Sequence, residues 1–175
     1  ESAAWAAARD AIPQVQPGAV ASWMATGRAP FGFQATWHGA LLARQQAYRD
    51  WLSGYGLYHC SPGPTQRHPH LGYRVTLPGW PQPIHMVGLD SGWLAGDDHD
   101  AEKLRITDDQ AARHLTDEAG NAIGGVSLVL LHHPLSTVAD GTTIRGLLRQ
   151  HRVALALHGH VHRTEHARWQ PADTP

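Results

Sequence analysis

Histidines follow two apolar segments of the chain, at the points where each segment ends. His132 follows the run 126–131, and His160 and His162 follow the run 153–157. If both runs are neighbouring strands of an α/β sheet, their carboxyl ends open onto one crevice, where such sheets bind ligands. Neutral imidazole is a common nitrogen ligand for metals such as zinc and iron. The sequence therefore predicts that His132, His160 and His162 are metal ligands.

The segment 159–162 reads Gly-His-Val-His. Residues i and i+2 of an extended chain share a face, so the rings of His160 and His162 should point to the same side. Gly159 should let the backbone turn sharply out of the strand. We therefore expect both rings to face the crevice beside His132.

Alternating and continuous apolar runs predict the elements that would position these histidines. The expected strands are 73–77, 84–89, 126–131 and 153–157, and the expected helices are 1–12, 39–53, 107–118 and 141–151. Thr107 and Gln110 form a capping-box pattern at the start of the third helix. Tyr48 belongs to the buried stripe of helix 39–53, and 13–38 and 60–72 are predicted loops. Apolar strands alternating with helices indicate a layered α/β fold.

Composition limits the class of protein. A chain of 175 residues with 42% hydrophobic residues suits one domain, 1–175, with a substantial core. The formal net charge of -1 gives no reason to expect nucleic acid or an anionic membrane as a partner. No apolar run approaches the roughly 20 residues of a membrane span. The single cysteine, Cys60, fits a reducing compartment, so we expect a cytoplasmic protein. Most of the 14 histidines should be exposed, or buried and bonded to backbone carbonyls.

Four motifs, taken in order, resemble the C-terminal half of the calcineurin-like metallophosphoesterases. The motifs are Leu89-Asp90-Ser91, the helical Gln110, His132-His133-Pro134 and Gly159-His160-Val161-His162. The resemblance covers about residues 72–166 and implies a layered β-sandwich flanked by helices. Residues 1–175 would then be the C-terminal portion of a single domain of that type.

The resemblance also implies an activity, the metal-dependent hydrolysis of phosphate monoesters or diesters. His132 and His160 would bind one metal ion and His162 another, in a site for two manganese, iron or zinc ions. The substrate would be a small-molecule phosphate ester or a nucleotide. His133 and His158 lie next to ligands and could orient them or touch substrate, although packing is the favoured interpretation. Asp90 is interpreted as a strand-end cap without a catalytic role.

The remaining motifs of that family are not found at the ends of predicted strands, where that family carries them. D-x-H, G-D-x-x-D and G-N-H would supply the carboxylates and the histidine that protonates the leaving oxygen, so the catalytic acid is not identified here. Segment 96–100 matches G-D-x-x-D, but no apolar strand leads into it, and a solvated loop is predicted. His68 and His70 flank a proline in a predicted exposed loop. We expect an upstream segment of the same polypeptide, its missing N-terminal half, to complete the site.

The spacing of the histidines argues against two other classes of metal enzyme. A metallo-β-lactamase would need HxHxDH, whereas Arg-Thr-Glu-His follows His162. An amidohydrolase places its HxH early, with further ligands downstream, but only thirteen residues follow His162. The remaining alternative is a catalytically inactive metallophosphoesterase-like module that serves as a binding or scaffold unit. Decayed upstream motifs would favour that alternative.

Overall fold

A computed structural model describes residues 3–55, 71–97 and 99–161. Six α-helices and four strands are found in these ranges. The first four helices are α1 (Ala3–Ala11), α2 (Pro17–Thr26), α3 (Ala35–Ala43) and α4 (Gln46–Gly54), with a short 3-10 helix at Ile12–Gln14. They are followed by β1 (Tyr73–Leu77), β2 (Ile84–Gly88), α5 (Asp108–Leu115), β3 (Val126–Leu131), α6 (Gly141–Gln150) and β4 (Leu155–His158). The predicted α/β class is confirmed.

The four strands form one sheet in the order β1-β2-β3-β4. β1 is antiparallel to β2, whereas β2, β3 and β4 run parallel to one another. Parallel strands place their carboxyl ends at one edge, so Asp90, His132 and Gly159 follow the strands at the same edge. This is the edge at which the sequence placed the metal site.

Helices cover one face of the sheet. Val87 and Val129 point to that side with no exposed surface and join one core with Leu115, Ile144 and Leu148 of α5 and α6. Ser127 and Leu131 of β3 are also buried on this face. Side chains on the two faces therefore differ in burial, which gives β3 its strict alternation of intermediate and buried residues.

The other face of the sheet, here called the open face, is apolar but incompletely covered. The register aligns Val75 with Met86, Met86 with Leu128, and Leu128 with Leu155, so these side chains share it. The open face comprises Tyr73, Val75, Leu77, Ile84, Met86, Val126, Leu128, Leu130, Leu155 and Leu157. The two leucines of β4 are 48% and 50% exposed. No second sheet is formed within the described ranges, and the layered β-sandwich stays a prediction.

The prediction of a loop over 13–38 is wrong, because α2 and the start of α3 lie there. Pro17 begins α2, where its missing N–H is harmless, and Gly27 ends it with φ of 73°. Trp23 and Val20 of α2 are fully buried. The predicted helix 39–53 is in fact two helices, which break at Arg44–Gln45 between α3 and α4. Within the described ranges, no helix is long and apolar enough to cross a membrane.

The boundaries of the other elements follow the sequence closely. β1 and β3 occupy the predicted residues, and β2 ends one residue early. α5 ends at Leu115, not 118, and β4 starts at Leu155, not 153. Thr107 caps α5 by accepting from the Gln110 N–H at 3.3 Å. The side chain of Gln110 does not complete the capping box.

Gln110 instead joins α5 to the end of β2. Its amide NH2 donates to the carbonyls of Ile106 (2.6 Å) and Asp90 (3.2 Å), and its Oε1 accepts from the Asp90 N–H. The Thr107 N–H, which a capping box would use, donates to Oδ2 of the buried Asp140 at 2.8 Å. The buried Gln110 therefore fixes the backbone immediately before Ser91.

Candidate metal centre

Three imidazoles converge at the carboxyl ends of β3 and β4. His132, His133 and His160 each offer one ring nitrogen, and these three atoms lie within 4.8 Å of one another. The ring centroids of His132 and His160 are 5.2 Å apart, and that of His133 lies 4.7 Å from each. Sequence reasoning predicted that His132 and His160 would meet, and the structure places them together.

His133 was favoured as a packing residue, but the structure places its ring beside those of His132 and His160. It is 6% exposed, whereas the rings of His132 and His160 are exposed. Sequence reasoning missed this role because alternation along an extended strand would send His133 away from His132. β3 ends at Leu131, however, and the chain bends at these two residues, so the alternation no longer applies.

Ser91 holds the His133 ring in place. Ser91 Oγ lies 3.0 Å from Nδ1 of His133 and also accepts from the His133 backbone N–H at 3.1 Å. Binding of a metal through Nε2 requires the tautomer in which Nδ1–H donates, and Ser91 Oγ is placed to accept that bond. Burial lowers the pKa of His133, and the neighbouring His132 and His160 lower it further. A neutral ring is the form that binds metal.

His160 adopts a left-handed backbone conformation, with φ of 69°. The expectation of an extended HxH segment is therefore wrong at this residue, and the sharp turn lies at His160 and not at Gly159. The Gly159 N–H donates to the His132 carbonyl at 3.0 Å, which ties the two strand ends together. A non-glycine residue in this conformation is uncommon, and such residues concentrate at functional sites.

The other predicted site residues lie apart from the cluster. His162 falls outside the described residues, as do His68 and His70. His158 is exposed, and its Nδ1 lies 3.3 Å from the carbonyl of the adjacent Gly159. His158 therefore makes no contribution to the cluster in this structure.

Several histidines are fixed elsewhere by backbone carbonyls, as the composition led us to expect. These pairs are His38 with Met24 O (3.4 Å), His85 with Gly124 O (2.9 Å) and His114 with Leu71 O (3.0 Å). Burial lowers the pKa of His114. The three imidazoles at the sheet edge differ from these because each has a ring nitrogen directed at the others.

A cavity of about 880 Å³ opens beside the cluster. His132, His133 and His160 form one part of its wall, and Asp90 and Arg49 form another. Burial raises the pKa of the Asp90 carboxyl, although the Gln45 side chain and the Gly92 N–H both donate to it. The bond to Gly92 is the strand-end cap that the sequence predicted for Asp90.

The loop at 96–100 is not simply solvated, contrary to prediction. Arg9 of α1 is 8% exposed and forms ion pairs with Asp97 (3.2 Å) and Asp100. Asp100 also accepts from the Gly96 N–H at 2.7 Å, and its side chain is only 13% exposed. These carboxylates line the same cavity, but they are bonded to Arg9 and are not members of the histidine cluster.

The donor set suits a metal ion that accepts imidazole nitrogen. Nitrogens bound to a tetrahedral zinc ion at 2.0–2.1 Å would lie about 3.3 Å apart. The three nitrogens lie within 4.8 Å of one another, so they would have to move closer together to bind one such ion. Among the described residues the cluster holds three nitrogens and no carboxylate oxygen. This set fits one ion, and a second would need further ligands.

The four motifs on which the metallophosphoesterase prediction was based are short and are separated by long stretches of chain. These motifs do meet in space, since Ser91 bonds to His133 and Gln110 bonds to Asp90. A comparison of the whole chain with protein-family models, curated proteins and solved structures gave no significant match.

Proposed function

We propose that this chain belongs to an enzyme that hydrolyses phosphate esters with the help of metal ions held at the histidine cluster. The observation that carries the proposal is the convergence of His132, His133 and His160 at the edge of a large cavity. A metal bound there would polarise phosphate oxygens and lower the pKa of a water molecule. Manganese, iron or zinc is the metal we expect.

The protein's own groups have separate tasks in this proposal. Ser91 sets the tautomer and direction of the His133 ring, and the turn at His160 brings that ring across to His132. The cavity holds the ester beside the imidazoles. Arg49 lies on the cavity wall near the Asp90 carboxyl, and its guanidinium is a group that an anionic substrate could contact.

A second metal ion would need carboxylates that the described cluster does not hold. We propose that an upstream segment of the same polypeptide supplies them and that His162 binds the second ion. That segment would cover the open face of the sheet and build the layered β-sandwich, with residues 1–175 as the C-terminal portion of one domain. The half-exposed leucines of β4 support this arrangement because monomeric proteins seldom leave a large apolar face in water. Because the described cluster offers imidazoles and no carboxylate, residues 1–175 alone should bind metal weakly.

The alternative is an inactive module that keeps the fold and uses it for binding. The observation in its favour is the lack of a carboxylate in the cluster within the described part of the chain. Such a protein would still bind metal through three imidazoles. It would not hydrolyse any ester, and this difference separates the two proposals.

The decisive experiment measures hydrolysis of bis(p-nitrophenyl) phosphate and p-nitrophenyl phosphate by the full-length protein. Activity should depend on manganese, iron or zinc and disappear with a chelator. His160→Ala removes a ligand and should lower kcat/KM by several orders of magnitude. His158→Ala is the matched control, because His158 is exposed and outside the cluster. Equal activity of His160→Ala and the wild type would refute the proposed mechanism, and metal binding without hydrolysis would favour the inactive module.

A further inference from the structure

Helix α4 carries three exposed aromatic residues in contact with one another. Tyr48, Trp51 and Tyr55 lie at positions i, i+3 and i+7, so they form one stripe, and they are 57%, 52% and 71% exposed. The rings of Tyr48 and Trp51 are nearly parallel, at 20°, with centroids 6.0 Å apart. Trp51 and Tyr55 follow at 5.1 Å. We call this stripe the aromatic shelf.

The shelf does not serve the hydrophobic core. Leu52, one turn after Tyr48, is 4% exposed and packs α4 against the rest of the molecule, whereas the three rings of the shelf stay exposed. The sequence placed Tyr48 on the buried stripe of this helix, and that prediction is wrong, because the chain breaks at Arg44–Gln45 and α4 begins anew at Gln46. Three large rings in water without a packing role suggest a surface that binds something flat.

One residue of the shelf, Tyr48, lines the same cavity as the histidine cluster. Tyr48 lines the cavity, and Trp51 and Tyr55 continue the shelf from Tyr48 along α4. His132 and His160 form another part of the cavity wall. A volume of about 880 Å³ is near the upper end of the range for small-molecule sites, so one ligand of nucleotide size can occupy it.

The wall of this cavity also carries polar groups. Arg49 is partly buried, and one of its guanidinium nitrogens lies 3.5 Å from Oε1 of Gln45. Gln45 in turn donates to the Asp90 carboxyl. Arg44 presents a second guanidinium, stacked 4.0 Å above the Trp5 ring. Because Asp90, Asp97 and Asp100 also line it, the cavity combines hydrogen-bonding groups and charges of both signs with an aromatic surface.

We propose that the substrate is a nucleotide whose base stacks on Tyr48, with Trp51 extending the stack, while its phosphate ester lies at the histidine cluster. A base offers a flat π-face to the parallel rings of the shelf, and a sugar can span the hydrogen-bonding groups of the wall. The position of the phosphate rests on the proposed function. The stacking of the base does not, since it depends only on the shelf.

The test compares three ligands of the full-length protein by isothermal titration calorimetry: AMP, ribose 5-phosphate and adenosine. AMP and adenosine should bind, and ribose 5-phosphate should bind about tenfold more weakly than AMP, which is the contribution expected from one stacked base. Tyr48→Ala should raise the Kd of AMP about tenfold and leave ribose 5-phosphate unchanged, whereas Tyr48→Phe should restore AMP binding. Trp80→Ala is the matched control, since Trp80 is 62% exposed and does not line the cavity.

Equal affinity for AMP and ribose 5-phosphate would overturn the proposal, as would a Tyr48→Ala variant that binds AMP like Trp80→Ala. Loss of ribose 5-phosphate binding in Tyr48→Ala would also overturn it, because the shelf would then bind a sugar. Failure of the proposed function is separate. If adenosine binding depends on Tyr48 but no metal-dependent hydrolysis is found, the base site is kept and the proposed esterase is rejected. If hydrolysis occurs but depends neither on the base nor on Tyr48, the esterase is kept and the base site is rejected.

Discussion

The three imidazoles of the cluster are held in different ways, and the difference affects how each should respond to mutation. His133 is buried and bonded through both its ring and its backbone to Ser91. His160 is exposed and depends on the left-handed turn after Gly159. His132 is exposed and tied through its carbonyl to Gly159. The buried ring is therefore the fixed point toward which the two exposed rings must move to bind an ion.

Removing the hydroxyl of Ser91 should weaken metal binding without removing a ligand. In Ser91→Ala the His133 ring loses the partner that selects its tautomer, and such losses typically weaken metal affinity by about 10- to 100-fold. Calorimetric titration of zinc into the protein measures this change. Ser136→Ala is the control, because Ser136 is exposed in the same β3–α6 connection.

A thermal unfolding curve, taken on the same two variants without metal, separates positioning from general damage. If zinc-free Ser91→Ala is already unfolded at the assay temperature, its loss of zinc affinity reflects unfolding and counts against a positioning role. So would an unchanged zinc affinity in a folded Ser91→Ala variant.

At the level of single residues, the sequence predicted His132 and His160 but not the place of His133. The first two follow from strand ends and side-chain spacing, which are local properties. The role of His133 depends on a bend after Leu131 and on Ser91, which is 42 residues away in sequence. Spacing along the chain carries no information about such a contact. A serine at the end of the neighbouring strand was the available signal.

The elements were predicted best where burial is one-sided. β3 and α5 bury one face and expose the other, so their periodicity is visible in the sequence. In α2, by contrast, Val20, Ala21, Trp23 and Met24 are all buried. A helix without a continuous polar stripe gives no 3.6-residue contrast, and α2 was therefore missed. Its terminal signals, Pro17 and Gly27, were present but unused.

Two glycine-to-alanine substitutions test the helix assignments, because they should change the free energy of unfolding in opposite directions. Gly27 ends α2 at φ of 73°, so Gly27→Ala should destabilise the protein by roughly 1–2 kcal/mol. Gly39 lies inside α3, where an added Cβ meets nothing within 4 Å, so Gly39→Ala should stabilise by about 0.5–1 kcal/mol. Urea unfolding curves measure both. Stability changes of the same sign would contradict the assignment of α2 and α3.

At the scale of the molecule, the described residues cover only one side of the sheet. The helices α5 and α6 bury Val87 and Val129, while the leucines of β4 remain half exposed on the open face. The α/β class and the pairing of β3 with β4 were predicted from the sequence, because apolar strands alternating with helices indicate a sheet whose neighbouring strands run parallel. The segment that packs on the open face could not be predicted from the same patterns, because an apolar strand does not show which part of a protein packs against it.

The proposed upstream segment on the open face predicts a larger effect of two leucine substitutions than their exposure in this structure does. Leu155 and Leu157 are half exposed here, so truncating either to alanine would be expected to cost little. If an upstream segment packs on the open face, both leucines are buried, and Leu→Ala at such a position should cost about 2–5 kcal/mol. The measurement is the free energy of unfolding of full-length Leu155→Ala and Leu157→Ala in urea. Phe31→Ala is the control, because Phe31 is fully exposed in the α2–α3 connection and belongs to neither face of the sheet. Leucine variants as stable as Phe31→Ala would mean that the face stays in contact with water, and the upstream carboxylates would then have to reach the histidines without a second sheet.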